Sequence, residues 1–133
     1  MHDAKKIVWG GWAAGAALLL MGACGSAGSS STSPSPGGDP SLTITIANNA
    51  VSPQNITVPR GSRVTFTNND TRNHDMESDP HPQHTDCPEI NSVGFLTPGQ
   101  SRQTGNLNTV RSCGFHDHDN DSVRSLQGTI TIQ

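Results

Sequence analysis

The chain has 133 residues, with eight Lys or Arg against eleven Asp or Glu, so it is mildly acidic at neutral pH. That length allows one domain of modest core beside any leader. A basic stripe interleaved with aromatics, a Gly-rich phosphate loop and a G-x-S-x-G elbow are all missing, which removes nucleic-acid binding, phosphate transfer and the common serine hydrolases.

The first element is a leader. Lys5 and Lys6 precede the apolar run "IVWGGWAAGAALLLM", too short for a comfortable membrane span but long enough for export. The run ends in "MGAC" at 21–24, which resembles a bacterial lipobox, with Met21 where Leu is commoner. The resemblance implies a lipoprotein signal peptide at 1–23 and a lipidated Cys24 that anchors an exported chain to a cell-envelope membrane, on its periplasmic face or at the cell surface. A plain secretory peptide cut nearby is the alternative. Residues 24–41 continue as "GSAGSSSTSPSPGGDPS" after Cys24, a Gly/Ser/Pro tract with almost nothing to bury, and read as a flexible tether. What remains, 42–133, is the folded domain; without the leader the chain keeps six Arg, no Lys and ten acids.

In that domain apolar residues alternate with threonines in "LTITI" (42–46), "ITV" (56–58), "RVTFT" (63–67) and "GTITI" (128–132). Period two with β-branched residues predicts half-buried strands. Turn residues punctuate them: "NN" at 48–49, "PRG" at 59–61, "NND" at 68–70 and "TPGQ" at 97–100. Short strands at this spacing predict an all-β, antiparallel Greek-key sandwich. The stretch from His74 to Val93, "HDMESDPHPQHTDCPEINSV", breaks the rhythm and reads as a long functional loop.

Candidate chemistry is concentrated in two places. His74, His81 and His84 lie in the polar stretch, and His116 and His118 follow Cys113 in "SCGFHDH". Thiolate and imidazole together suit copper or zinc. Cys113, two residues and then His116 let one turn bring sulfur and nitrogen to an ion. His81 and His84 are candidates for a further site or for recruiting metal, His118 for an additional ligand, and each has a solvated side chain as its alternative. Cys87 offers Cys113 a second fate, because exported chains favour disulfides, and a bridge between the two would stabilise a small domain by about 3–4 kcal/mol.

From "ANNAVSPQNITVPRGSRVTFTNNDTRNHD" (47–75) through "LTPGQS" (96–101) and "SCGFH" (112–116) to "LQGTITIQ" (126–133), the domain resembles the cupredoxins, the plastocyanin-like blue copper proteins. The resemblance implies a cupredoxin-type sandwich and a single type 1 copper held by His74, Cys113 and His116. Leu126 then stands, non-ligating, where the family usually places its axial Met. A membrane-anchored electron carrier follows, with a redox partner protein or a copper donor or acceptor as partner, and no enzymatic activity. The alternatives are a copper carrier, buffer or sensor without redox duty, and a metal-free domain bridged at Cys87 and Cys113. The His116-x-His118 pair also looks like the copper motif of copper/zinc superoxide dismutases, but every other histidine of the domain lies upstream, the wrong order for that family.

Overall fold

The computed structural model describes residues 42–133; the leader, Cys24 and the tether lie outside the described residues. Nine strands form two sheets: β1 Thr43–Ala47, β2 Ala50–Ser52, β3 Asn55–Val58, β4 Thr65–Asn68, β5 His74–Ser78, β6 Gly94–Leu96, β7 Ser101–Gln103, β8 Arg111–Asp117 and β9 Gly128–Ile132. One sheet runs β2-β1-β4-β7 and the other β3-β9-β8-β5-β6. Between strands the only helical segments among the described residues are 3-10 turns at Ile90–Ser92, His118–Asn120 and Arg124–Leu126.

The β-branched alternation reappears as strands β1, β3, β4 and β9, and the two-sheet sandwich is as expected. The sheets are mixed, however, which corrects the all-antiparallel reading. β1 pairs β4 in parallel, with Ile44 opposite Phe66, and β3 pairs β9 in parallel, with Ile56 opposite Ile130. Both pairs join strands far apart in sequence, and hairpin signals say nothing about such pairings.

Ile44 and Ile46 from β1, Phe66 from β4, Val58 from β3, Met76 from β5, Phe115 from β8 and Ile130 from β9 fill the space between the sheets, each fully buried. Phe66 and Phe115 meet edge to face across that space, ring centroids 5.2 Å apart and planes at 89°. Such a pair contributes about 0.5–1.5 kcal/mol beyond the area it buries. Met76 therefore packs in the core.

Two departures from the expected pattern place the site. First, the long loop begins later than expected, because His74–Ser78 is strand β5, with His74, Met76 and Ser78 buried and Asp75 and Glu77 half-buried on the other face. Two of its three inward residues are polar, which hides the strand from a hydrophobic count. Second, Phe115, His116 and Asp117 at the end of β8 are all buried, so alternation fails there. In the segment between β5 and β6, the cover, the first part through His84 meets His116 on the outer face of the sheet, while Cys87, Ile90 and Val93 farther along it are buried in the core.

A disulfide fastens this cover. Cys87 in the segment is joined to Cys113 of β8, with Cα atoms 5.8 Å apart, and both residues are fully buried. Asn91 Nδ2 donates to His84 O at 2.9 Å while Asn91 Oδ1 accepts from Ser78 N at 2.9 Å, so one side chain ties the cover to the end of β5.

Candidate metal centre

β8 runs straight from Arg111 to Asp117, so its side chains alternate between faces. Cys113, Phe115 and Asp117 point into the sandwich, and His116 points outward. His118 follows at the same parity as His116 in the turn after the strand. On the adjacent strand Glu77 stands opposite His116 in register. The cover brings His81 and His84 down on this outer face.

One ligand atom from each of His81, His84, His116 and His118 lies within 4.8 Å of every other. His118 Nδ1 and His84 Nε2 are 3.2 Å apart. The rings of His81 and His118, and of His84 and His118, have centroids 4.9 Å apart, and those of His84 and His116 are 5.2 Å apart. Nitrogens bonded to one ion at 2.0–2.1 Å in a tetrahedral arrangement would lie about 3.3 Å from one another, so small side-chain movements bring these four to a common ion.

The local structure is built for this approach. His84 has φ of +52°, in the left-handed region that a non-glycine residue enters at a cost of about 1–2 kcal/mol. Its amide donates to Pro80 O at 2.8 Å and its carbonyl accepts from Asn91, which hold the strained residue in place. Strain of this kind concentrates at ligand clamps. His116 is 2% exposed; its Nδ1 lies 2.7 Å from Asp79 Oδ1, and its buried Nε2 has no hydrogen-bond partner. A buried polar atom without a partner costs about 1–3 kcal/mol, and a cation at Nε2 removes that cost. The donor set, the crowding and the orphaned nitrogen all fit a metal ion.

Electrostatics favour a cation as well. Burial, followed by the neighbouring imidazoles of His116, His118 and His81, holds His84 below its ordinary pKa near 6.5 and so keeps it in the neutral form that ligates. Asp75 and Glu77 flank the cluster on β5. Burial raises both carboxyls above their usual range, and nearby imidazoles, His118 for each of them, act in the opposite direction. His81, the most exposed member, has Nε2 3.8 Å from Asp121 Oδ2.

The residues expected to bind type 1 copper are placed otherwise. Cys113 Sγ is bonded to Cys87, the alternative pairing, so the thiolate expected as a ligand is absent in this form. Cys113 and His116 also occupy opposite faces of β8, because the strand continues where a ligand turn was expected. His74 is buried at the inward parity of β5, its Nδ1 donating to Asp117 Oδ2 at 2.8 Å and its Nε2 3.5 Å from Asp70 Oδ2. His74, Cys113 and His116 are therefore not brought to one point, whereas His116 and the additional candidates His118, His81 and His84 are. Leu126, expected at the axial position, is fully buried in the core.

Sequence reasoning missed Asp79 and Asp117 as partners of histidines. Nothing in the spacing of the domain's acids indicated which imidazole each would face.

A family model described as the cupredoxin-like domain matches residues 14–104, more than half of the chain, and stops short of β8. No curated protein matches the sequence. A purple cupredoxin from Nitrosopumilus maritimus is similar in structure, at 18% identity and a TM-score of 0.54, over 69% of this chain and 99% of that one. So is the oxidized form of plastocyanin from Dryopteris crassirhizoma, at 21% identity and 0.55, over 68% of this chain and 99% of that one. The Cu-containing nitrite reductase of Thermus scotoductus SA-01 matches at 17% identity and 0.51, over 69% of this chain but only 22% of the reductase. At these identities the likeness is one of fold. The family match, the mixed two-sheet sandwich and the way β1 to β9 are paired lead to one assignment: the chain belongs to the cupredoxin-like domain family.

Proposed function

We propose that this chain is an exported copper-binding protein that holds one ion with His81, His84, His116 and His118, and that it carries or buffers copper. The observation that carries this reading is the convergence of four imidazoles, among them His116 with its buried and unpartnered Nε2, in a fold shared with a Cu-containing nitrite reductase. Imidazole is a good ligand for both copper and zinc, and with nitrogen donors Cu(II) binds more tightly than Zn(II). An all-imidazole set lacks the soft sulfur that favours Cu(I). The bound ion would supply a Cu(II)-preferring centre, better suited to taking up and handing on the metal than to rapid electron exchange. The flanking Asp75 and Glu77 would offset part of the ion's charge. A copper donor or acceptor is then the partner, and the proposed lipid anchor at Cys24 would hold the domain at the cell envelope.

The electron-carrier reading, with type 1 copper at His74, Cys113 and His116, is favoured by the likeness to plastocyanin and to a purple cupredoxin. It requires the disulfide to open. Titration of the native chain with Cu(II), its free thiols counted beforehand and with no oxidant or reductant added, separates the two readings. The four-imidazole site should bind one equivalent with weak visible absorption and nitrogen hyperfine structure in the electron paramagnetic resonance spectrum. His81→Ala and His84→Ala should each weaken binding by about 10–100-fold, and His74→Ala should leave the stoichiometry at one. Intense visible absorption from sulfur-to-copper charge transfer, lost in Cys113→Ala, would overturn this assignment in favour of the thiolate site. Tighter binding of Zn(II) than of Cu(II) would overturn the choice of metal.

A further inference from the structure

We infer that Asp79 is the positioning residue of this centre: its carboxylate accepts a hydrogen bond from His116 Nδ1–H and thereby commits that imidazole to offer Nε2. The inference rests on the four-histidine reading. Asp79 Oδ1 lies 2.7 Å from His116 Nδ1, and an ionised carboxylate only accepts, so the proton sits on Nδ1 and the lone pair on Nε2. Nε2 is the atom that is buried without a partner. The carboxylate therefore selects the tautomer in which the unsatisfied nitrogen is a donor to a cation.

The chain fixes the backbone of Asp79 from both sides. Asp79 N donates to Gly114 O at 3.0 Å, which extends the pairing of β5 with β8 by one residue. Asp79 O accepts from Asp86 N at 2.9 Å and from Ser78 Oγ at 3.2 Å, so the returning limb of the cover hangs from the same residue. The side chain lies over Gly114, where a Cβ would overlap the carboxylate group. Gly114 is thus the gap in β8 through which Asp79 reaches the neighbouring imidazole. Nothing comparable holds His81, whose nearest carboxylate, that of Asp121, is 3.8 Å away between two exposed side chains. A carboxylate behind a ligating imidazole orients the ring and raises its basicity, and losing such a partner typically lowers metal affinity 10–100-fold.

The test compares the full chain, disulfide oxidised, with its Asp79→Ala, Asp79→Asn and His116→Ala variants. In the metal-free protein, long-range proton–nitrogen correlation spectra report the His116 tautomer. The wild type should show the Nδ1-protonated form, Asp79→Ala a mixture, and Asp79→Asn, whose amide oxygen still accepts, the wild-type form. In Cu(II) competition titrations Asp79→Ala should bind 10–100-fold more weakly, with Asp79→Asn closer to the wild type. An unchanged tautomer together with affinity within twofold of wild type in Asp79→Ala, with a native disulfide and circular dichroism spectrum, would overturn the inference. If His116→Ala also bound copper like the wild type, the four-histidine site itself would fall. The tautomer spectra, recorded without metal, judge Asp79 separately from that outcome.

Discussion

Asp117 has both carboxylate oxygens fully engaged in the interior. Oδ2 accepts from His74 Nδ1 at 2.8 Å and Asn120 Nδ2 at 2.9 Å, and Oδ1 from the amides of Asp75 at 3.1 Å and Asp119 at 3.2 Å. Four donors satisfy a buried charge that would otherwise be too costly to keep, and they tie the turn bearing His118 to β5. His74 thus has a structural use that competes with metal binding. His84 has a different one. Because the folded chain holds its pKa below 6.5, the unfolded chain takes up a proton there more readily as the pH falls. Stability contributed through His84 is complete above that value and is lost on acidification through the interval below it. The midpoint of urea unfolding of the metal-free chain should therefore drop between pH 7.5 and pH 5.5, and His84→Asn should reduce the drop. Asn tolerates the left-handed backbone at this position, so the comparison isolates the imidazole.

At the scale of elements, the site depends on the first part of the segment between β5 and β6 lying across the outer face of β8. The Cys87–Cys113 bond spans 26 residues and pins that segment three residues after His84 and three before His116. Loop-closure entropy alone assigns such a bridge about 3.5 kcal/mol. Reduction, or Cys87→Ala with Cys113→Ala, should lower stability to urea by about 2–5 kcal/mol. It should also weaken Cu(II) binding, since His81 and His84 are no longer held against β8. Copper bound more tightly by the reduced chain would mean that the sulfur, not the cover, serves the metal. The elements also differed in how well their residues announced them. β1 and β9 alternate Ile with Thr and are legible at once. β7 is exposed at all three of its residues and carries no apolar signal, and β5 turns His74 and Ser78 inward, so its inner face looks like loop.

For the whole molecule, the domain is proposed to stand off a membrane on a Gly/Ser/Pro tether attached through Cys24. This predicts that the native chain fractionates with membranes and is released by detergent, and that Cys24→Ala appears in the soluble fraction with its copper affinity unchanged. A variant that stays with the membrane would move the anchor elsewhere in the leader. The sandwich needs no metal to fill its core, because Phe66, Phe115 and the buried aliphatics close it and the disulfide adds to it. The candidate centre sits outside that core, on the far face of one sheet, so metal loss should leave the fold standing.

The sequence alone was enough for the β rhythm, for the gathering of imidazoles into two polar segments, and for the choice between only two fates for Cys113. Those are local properties, written in side-chain period, residue type and compartment. Which fate Cys113 meets, and which histidines meet one another, depended on tertiary structure. β8 stays extended through Asp117, which sends Cys113 and His116 to opposite faces. The pairing of β5 with β8 then leads the segment after β5 to both: His81 and His84 meet His116 on one face, and Cys87 bonds Cys113 on the other. Neighbours across a sheet are set by strand order and register, and a linear pattern carries neither.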